Sequence, residues 1–228
     1  MCFFKKKLEI KEEEKEMITT INISKHTPYR TQRDNAFVPI ASCQTTSAII
    51  GLESSGIEFD YPKDMQPEDY LTSITETKEA YDFMRENAPW AIQRGIPPAQ
   101  VHVVLEWAIN KLVGRKVDTF STRTKIETLL FNLIKGNASL VSGRFTSYGH
   151  VVCLVGFETT QREIMHIKSE NDVDLWKVKR FIIDDPYGNP LTGYSDYNGD
   201  DVKLTYREFN WYVRDYDNNL KWAHLLVN

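Results

Sequence analysis

The chain has 228 residues, of which 41% are hydrophobic and 26% are charged, a composition typical of a globular protein large enough to bury a core. Its formal net charge of −4, without any long basic stripe, argues against nucleic-acid binding. The apolar runs are too short for a membrane span, and the N-terminus lacks the apolar segment of a signal peptide, so we predict a cytoplasmic protein.

The first 25 residues differ in character from the rest of the chain. Three lysines occupy positions 5–7, and the stretch from Glu9 to Glu16 consists mainly of acidic and basic residues. Such a stretch is typical of a solvated arm or a short charged helix. We therefore predict a charged N-terminal extension over residues 1–25 and a single domain over residues 26–228.

Helical patterns dominate the first half of this domain. The run from Cys43 to Glu53 predicts a helix, because Ser42 is a suitable N-cap and apolar residues recur on one face. Proline or glycine residues delimit other segments with apolar residues at helical spacing. These further predicted helices cover residues 67–74 with a continuation over 75–86, 97–113 and 123–135.

The second half has the pattern of β-strands. Five segments rich in valine, isoleucine, leucine and phenylalanine predict strands over residues 138–142, 151–157, 163–169, 178–184 and 222–227. Helices followed by strands indicate an α+β fold, with the Cys43 helix packed against an antiparallel sheet.

Cys43 is the candidate nucleophile. A thiol at the start of a helix lies beside unpaired backbone N–H groups and the positive end of the helix dipole, which stabilise its thiolate. Cys153 lies within an apolar strand and is expected to be a core residue, and Cys2 is expected to have no role. The three cysteines form no C-x-x-C pair, so neither a disulfide framework nor a metal site is predicted.

His150 and an acidic residue could complete a hydrolytic site. His150 begins the most hydrophobic predicted strand, where its imidazole could reach a thiol on the facing helix and act as acid and base. The rival histidines are His26, His102, His166 and His224. His102 is expected on the outer side of its predicted helix, and His166 and His224 are expected to be structural or solvated. Asp184 and Asp185 end another strand, and only one of them can face His150 because successive strand residues point to opposite faces. Asn189 is the fallback for orienting the imidazole.

Gln32 is the candidate donor of a side-chain N–H group to an oxyanion, together with the backbone N–H of Cys43. Gln44 is the competing glutamine, but it is expected to point away from the neighbouring thiol.

A further acidic stretch resembles a calcium loop without its closing glutamate, and a solvated turn is the better interpretation of Asp196, Asp200 and Asp201. The aromatic residues from Tyr194 to Trp222 could wall a substrate groove or fill the core.

The order glutamine, cysteine, histidine and aspartate is that of papain-type cysteine hydrolases. With its flanking residues, the chain resembles the C39-like cysteine peptidase family, which includes bacterial and phage members. The resemblance implies a papain-like fold, assigns the catalytic roles to Cys43, His150, Asp185 and Gln32, and favours Asp185 over its neighbours. The matching stretches are residues 32–35, 42–47, 149–152, 156–157, 185–189 and 221–224.

The resemblance and the site chemistry together predict a cysteine peptidase that acts on a peptide or protein substrate without a cofactor or metal. Four alternatives stay open on the same residues: a catalytically silent papain-like binding module, an amidase, an acyltransferase and a phage lysin. Faster reaction of Cys43 than of Cys153 with a mild thiol reagent near pH 6 would argue against the silent module. The substrate specificity and the oligomeric state are left open by the sequence.

Overall fold

The described part of the chain forms one seven-stranded antiparallel sheet with helices on both faces. A computed structural model describes residues 17–214, 220 and 222–228, so most of the charged extension lies outside the described residues. The strands are β1 (Thr19–Asn22), β2 (Asp118–Ser121), β3 (Ser139–Gly143), β4 (His150–Thr159), β5 (Val178–Asp184), β6 (Val202–Thr205) and β7 (Ala223–Leu226). Their order is β2-β7-β3-β4-β5-β6, and β1 pairs with the second half of β4.

Helices of about one to three turns surround this sheet. They are α1 (Cys43–Ser54), α2 (Pro67–Thr75), α3 (Lys78–Asn87), α4 (Pro89–Gln93), α5 (His102–Val113), α6 (Ile126–Ile134) and α7 (Tyr206–Val213). Among the described residues, none of these helices has the length and apolar character needed to cross a membrane.

The central strand β4 is buried along its whole length because both faces of the sheet are covered. Alternate residues point to opposite faces. Val151, Cys153 and Val155 pack in a cluster with α1, α2 and α5. Val152 and Leu154 pack in a second cluster with α6 and α7. The sheet therefore separates two hydrophobic cores, and both hold β4 in place.

Helix α1 packs directly on the sheet, with ten of its twelve residues buried. The Ser47 hydroxyl donates a hydrogen bond to the Val151 carbonyl of β4 at 3.0 Å. Gly51 lets the helix approach closely, since a Cβ there would lie 2.6 Å from Leu226 Cδ1 on β7. This contact fixes Cys43, the first residue of α1, relative to the start of β4.

The structure also differs from the sequence prediction in places. The predicted strand over 163–169 is wrong: the segment contains a 3-10 turn at Ile164–His166 and no strand. Ile164 and Ile167 are buried while Met165 is exposed, which is a turn-like rather than an alternating pattern.

Strand β1 lies within the predicted extension, so described residues upstream of residue 25 belong to the sheet. The acidic residues at 196–201 form a turn stabilised by side-chain to backbone hydrogen bonds.

Candidate active site

Cys43 begins α1, as predicted, and its side chain is half-buried. Ser42 precedes the helix, but its hydroxyl makes no capping bond. Instead, the buried Asn35 amide donates hydrogen bonds to the hydroxyls of Ser42 and Thr46, each at 2.9 Å. These hydrogen bonds therefore fix the loop before α1 to the first turn of the helix. The thiol lies at the positive end of a twelve-residue helix whose first turn contains no acidic residue.

His150 and Asp185 meet at one edge of the sheet. His150 is the first residue of β4, and Asp185 directly follows β5, which runs antiparallel to β4 with Asp184 opposite Cys153. The start of one strand therefore adjoins the end of the other. His150 Nε2 lies 2.6 Å from Asp185 Oδ1, and both side chains are buried.

Asp185 is held by further hydrogen bonds. The Tyr187 backbone N–H donates to Oδ1 at 2.9 Å, and the Tyr194 hydroxyl donates to Oδ2 at 3.2 Å. The two alternatives have other partners: Asp184 accepts from the Asp201 N–H, and Asn189 accepts from the N–H of Leu191. Of the three candidates weighed from the sequence, Asp185 is therefore the one that contacts the imidazole.

The surroundings of His150 favour its protonated form. Burial alone would lower the pKa of an imidazole. At His150 the negative charge of Asp185, the hydrogen bond to it and a hydrogen bond with Cys43 outweigh burial and raise the pKa from 6.5 to about 10. The positive charge of the imidazolium is therefore held by the Asp185 carboxylate, in the cleft that also contains the Cys43 side chain.

Cys153 has the opposite environment. It is fully buried in β4, as the sequence predicts, and burial raises the pKa of its thiol well above 9.0. A thiol in this position stays protonated and unreactive near neutral pH. Cys2 lies outside the described residues.

Gln32 lines the same cleft as Cys43 and His150. Its backbone N–H donates to the Pro186 carbonyl at 2.9 Å, which ties it to the turn after Asp185. The buried side-chain Nε2 donates to the Pro39 carbonyl at 2.7 Å. Because an amide nitrogen carries two hydrogens, one remains for another acceptor.

Gln44 does not point away from the thiol, contrary to the sequence prediction. Its Oε1 accepts a hydrogen bond from Cys43 Sγ at 3.3 Å, and its Nε2 donates to the Ala99 carbonyl at 2.7 Å. The bond to Ala99 holds the amide in place, so Gln44 provides the acceptor for Cys43 when the side chain is in its neutral S–H form. Sequence position alone could not reveal this contact, since Ala99 lies 55 residues away.

An open cleft of about 930 Å³ contains the thiol and the imidazole. Aromatic residues from the C-terminal half, including Tyr194, Tyr197 and Trp222, line it, whereas Phe209 is buried in the core. The aromatic segment therefore contributes both to the wall of the cleft and to the hydrophobic core, the two alternatives that the sequence left open. Within the described chain, one group of carboxylates could hold a metal ion, and it comprises Asp184, Asp200 and Asp201, none of which lines this cleft.

The comparisons with known proteins agree with this geometry. The sequence profile of the Peptidase_C39 like family matches residues 24–214. The chain belongs to this family. A crystal structure of a candidate C39-like peptidase from Bacillus anthracis aligns with a TM-score of 0.52 and 15% identity, covering 92% of this chain and 98% of that one. At this identity the likeness shows the fold, and it confirms the predicted α+β, papain-like architecture. No curated protein sequence matches the chain.

Some residues around this C39-like site were not found from the sequence. Tyr194 supports Asp185 and Asn35 supports the start of α1, but neither carries a local signal of these roles. In the sequence analysis, Asn35 belongs only to a stretch that matches the family, and Tyr194 belongs only to the aromatic segment that could line a groove or fill the core. Both contacts depend on loops that the fold brings together.

Gly199 leaves room for the turn that carries Asp185. Its carbonyl accepts the Asp185 N–H at 2.9 Å, and a Cβ at this position would collide with the Asp185 carbonyl oxygen. We expect Gly199→Ala to lower the free energy of unfolding by about 1–3 kcal/mol, as overpacking usually does. Displacing Asp185 from His150 should also slow Cys43 alkylation by iodoacetamide about tenfold or more, since small misplacements in a site have large effects.

Gly156→Ala is a matched control for this change. A Cβ at Gly156 would collide with the Ile21 carbonyl on β1, on the half of β4 away from His150. We expect a similar loss of stability but normal Cys43 alkylation in the folded protein. Equal alkylation rates in Gly199→Ala and wild type would contradict the proposed support of Asp185.

Proposed function

We propose that the chain is a cysteine peptidase that cleaves a peptide bond through an acyl-enzyme on Cys43. The main support is the position of His150, which lies 2.6 Å from the Asp185 carboxylate and lines one open cleft together with the Cys43 thiol. These residues match the nucleophile, the acid–base group and the orienting group that cysteine hydrolysis requires. Membership of the Peptidase_C39 like family is consistent with this reaction.

In the first half-reaction, the Cys43 thiolate attacks the carbonyl carbon of the substrate, and the electron pair of the C=O bond moves to oxygen. The Cys43 backbone N–H and the remaining amide hydrogen of Gln32 stabilise this oxyanion. When the C–N bond breaks, His150 transfers its proton to the leaving nitrogen. The products of this step are an amine and a thioester on Cys43.

In the second half-reaction, neutral His150 takes a proton from water, and the resulting hydroxide attacks the thioester. The C–S bond then breaks, which releases a carboxylic acid and restores the thiolate beside an imidazolium. Asp185 stays ionised throughout and holds the imidazole in position. A thiol nucleophile must remain reduced, a requirement that fits the cytoplasmic location predicted from the sequence.

The reactivity of Cys43 tests this proposal without knowledge of the substrate. At about pH 6, below the range in which an ordinary cysteine ionises, we expect iodoacetamide to alkylate Cys43 much faster than Cys153. Mass spectrometry of the digested protein distinguishes the cysteines. His150→Ala should slow the reaction at Cys43 about tenfold or more, because the thiolate loses its counterion.

Peptide cleavage then separates the peptidase from a silent binding module. Wild-type protein is incubated with a peptide library, with Cys43→Ala as the inactive control. New termini that appear only with the wild type support the proposal. Slow alkylation of Cys43, unaffected by His150→Ala, together with no cleavage, would favour a catalytically silent papain-like module.

A further inference from the structure

Arg33, the neighbour of Gln32, is held rigidly at the wall of the cleft. Its guanidinium carbon lies 3.9 Å from the ring centroid of Tyr187 and 3.9 Å from that of Tyr197. Its Nε donates a hydrogen bond to the Tyr187 carbonyl at 2.8 Å. The two aromatic rings flank the guanidinium, and the bond to Tyr187 uses the N–H of Nε. The N–H groups of the two terminal nitrogens are therefore available to donate to a ligand.

The charge of Arg33 has no counterion in the part of the chain that the structure describes, where no carboxylate forms an ion pair with it. The described residues that line the cleft also include no aspartate, glutamate or lysine. Arg33 is therefore the single permanent charge of this lining, in a protein whose net charge is −4. A half-buried guanidinium without a counterion is an unusual feature of a cleft wall and a suitable one for binding an anion.

The geometry points to a carboxylate-binding subsite, and we propose that Arg33 binds a carboxylate of the peptide substrate. The planar pair of terminal nitrogens matches the two oxygens of a carboxylate, and stacking between two rings fixes the guanidinium before the ligand arrives. The carboxylate could come from an aspartate or glutamate side chain or from the C-terminus of the peptide. Both sources present the same group to Arg33.

The position of Arg33 places this subsite on the leaving-group side of the scissile bond. This placement rests on the proposed function, in which His150 protonates the leaving nitrogen. The Tyr187 ring lies 6.1 Å from the His150 ring, and Arg33 stacks on Tyr187. One aromatic ring therefore separates the guanidinium from the imidazole. An extended peptide advances about 3.3–3.6 Å per residue, so the carboxylate would belong to one of the first few residues after the cut.

Peptide binding to Cys43→Ala protein tests the subsite without turnover. The protein is immobilised and equilibrated with an N-acetylated hexapeptide library, prepared with either a free or an amidated C-terminus, and retained peptides are identified by mass spectrometry. We expect peptides with aspartate, glutamate or a free C-terminus to be retained about tenfold better than their asparagine, glutamine or amidated counterparts, as charge-assisted hydrogen bonds predict. The two libraries distinguish the terminal from the side-chain carboxylate.

Four further variants in the Cys43→Ala background examine the cause of this preference. Arg33→Met should abolish it, and Arg33→Lys should retain a weaker preference because it keeps the charge but not the planar pair of donors. Tyr197→Ala should reduce it, since Tyr197 covers one face of the guanidinium and leaves the charge in place. Arg94→Met removes an exposed arginine that stacks on Trp90 outside the cleft, and should change nothing. Equal retention of acidic and amide peptides, or a preference that survives in Arg33→Met, would overturn the proposal.

Cleavage by the protein with Cys43 intact completes the test. A carboxylate on the C-terminal side of the cut supports the placement, and one on the N-terminal side refutes it. If the Arg33-dependent preference is found but no peptide is cleaved and Cys43 is unreactive, the peptidase proposal fails while the carboxylate-binding site stands. If Cys43 is reactive but binding ignores carboxylates, the subsite fails and the peptidase proposal stands.

Discussion

Asp185→Asn is expected to lower kcat/KM for peptide cleavage by about 10²–10⁴-fold while leaving the fold intact. The buried carboxylate orients His150 and supplies the negative charge that favours the imidazolium. Asparagine has nearly the same shape but no charge, and its amide can present a donor where the imidazole needs an acceptor. Steady-state kinetics on a peptide found in the library screen measure the loss, and circular dichroism verifies the fold.

The same variant should change the pH dependence of Cys43 reactivity in a defined direction. The thiolate–imidazolium pair requires protonated His150, so reactivity that depends on the pair is lost as pH rises through the pKa of His150. In the wild type that pKa is raised from 6.5 to about 10, in large part by Asp185. Without the carboxylate the pKa falls, and the alkaline limit of pair-dependent reactivity should move to lower pH.

Asp184→Asn provides the matched control. Asp184 is adjacent in sequence and also buried, but it contacts the Asp201 N–H rather than His150. We expect kcat/KM in this variant to stay within a few-fold of wild type. The assignment of Asp185 would be contradicted if Asp184→Asn caused the larger loss, or if Asp185→Asn left both the rate and the pH profile unchanged.

Local sequence signals located the three helix and strand ends that carry the site, namely the starts of α1 and β4 and the end of β5. Helix α1 begins at Cys43 as predicted, and β5 has the predicted bounds of 178–184. Both predictions depended on a sharp boundary between an apolar run and polar or proline residues. His150 and Asp185 could therefore be placed at strand ends, and antiparallel pairing brings those ends together.

Local sequence signals could not predict the shortest strands or the directions of individual side chains. Strands β1, β2 and β6 have four residues each, too few for a periodic pattern to stand out, and the pairing partners of β1 and β2 lie far away in the chain. At 163–169, the left-handed conformation of Glu163, with φ of 54°, interrupts the extended chain. The direction of the Gln44 side chain likewise depends on its bond to Ala99, a tertiary contact.

The contact between Asp118 and His224 shows the same limit most clearly. The residues are separated by 106 positions, yet His224 Nδ1 lies 2.6 Å from Asp118 Oδ2 because β2 pairs with β7. His224 Nε2 lies 3.3 Å from His102 Nδ1, and His102 packs against Trp222 in the cleft wall. His102 is thus part of a buried network, not the outer helix residue expected from the sequence.

Asp118→Ala is expected to lower the free energy of unfolding by about 1–3 kcal/mol, because it leaves the buried His224 ring without its hydrogen-bond partner. Both Asp118 and His224 are fully buried, so His224 would lose its partner without gaining water. Chemical denaturation measures the change. His166→Ala, which removes an exposed histidine, should have little effect. A loss in Asp118→Ala no larger than in His166→Ala would contradict the prediction.

The network also has a consequence for the cleft. Burial and the neighbouring His224 lower the pKa of His102 to about 3, so His102 is neutral at the pH at which a thiolate–imidazolium pair operates. It can then support Trp222 without adding a positive charge to those of Arg33 and the His150 imidazolium in the cleft. Replacing the pair with apolar residues, as in Asp118→Leu combined with His224→Phe, should restore much of the stability lost in Asp118→Ala. Because His102 would still lose its hydrogen-bond partner, we expect this double variant to raise KM more than it lowers kcat. Equal KM values in the double variant and wild type would indicate that the network of Asp118, His224 and His102 stabilises the fold but does not affect substrate binding.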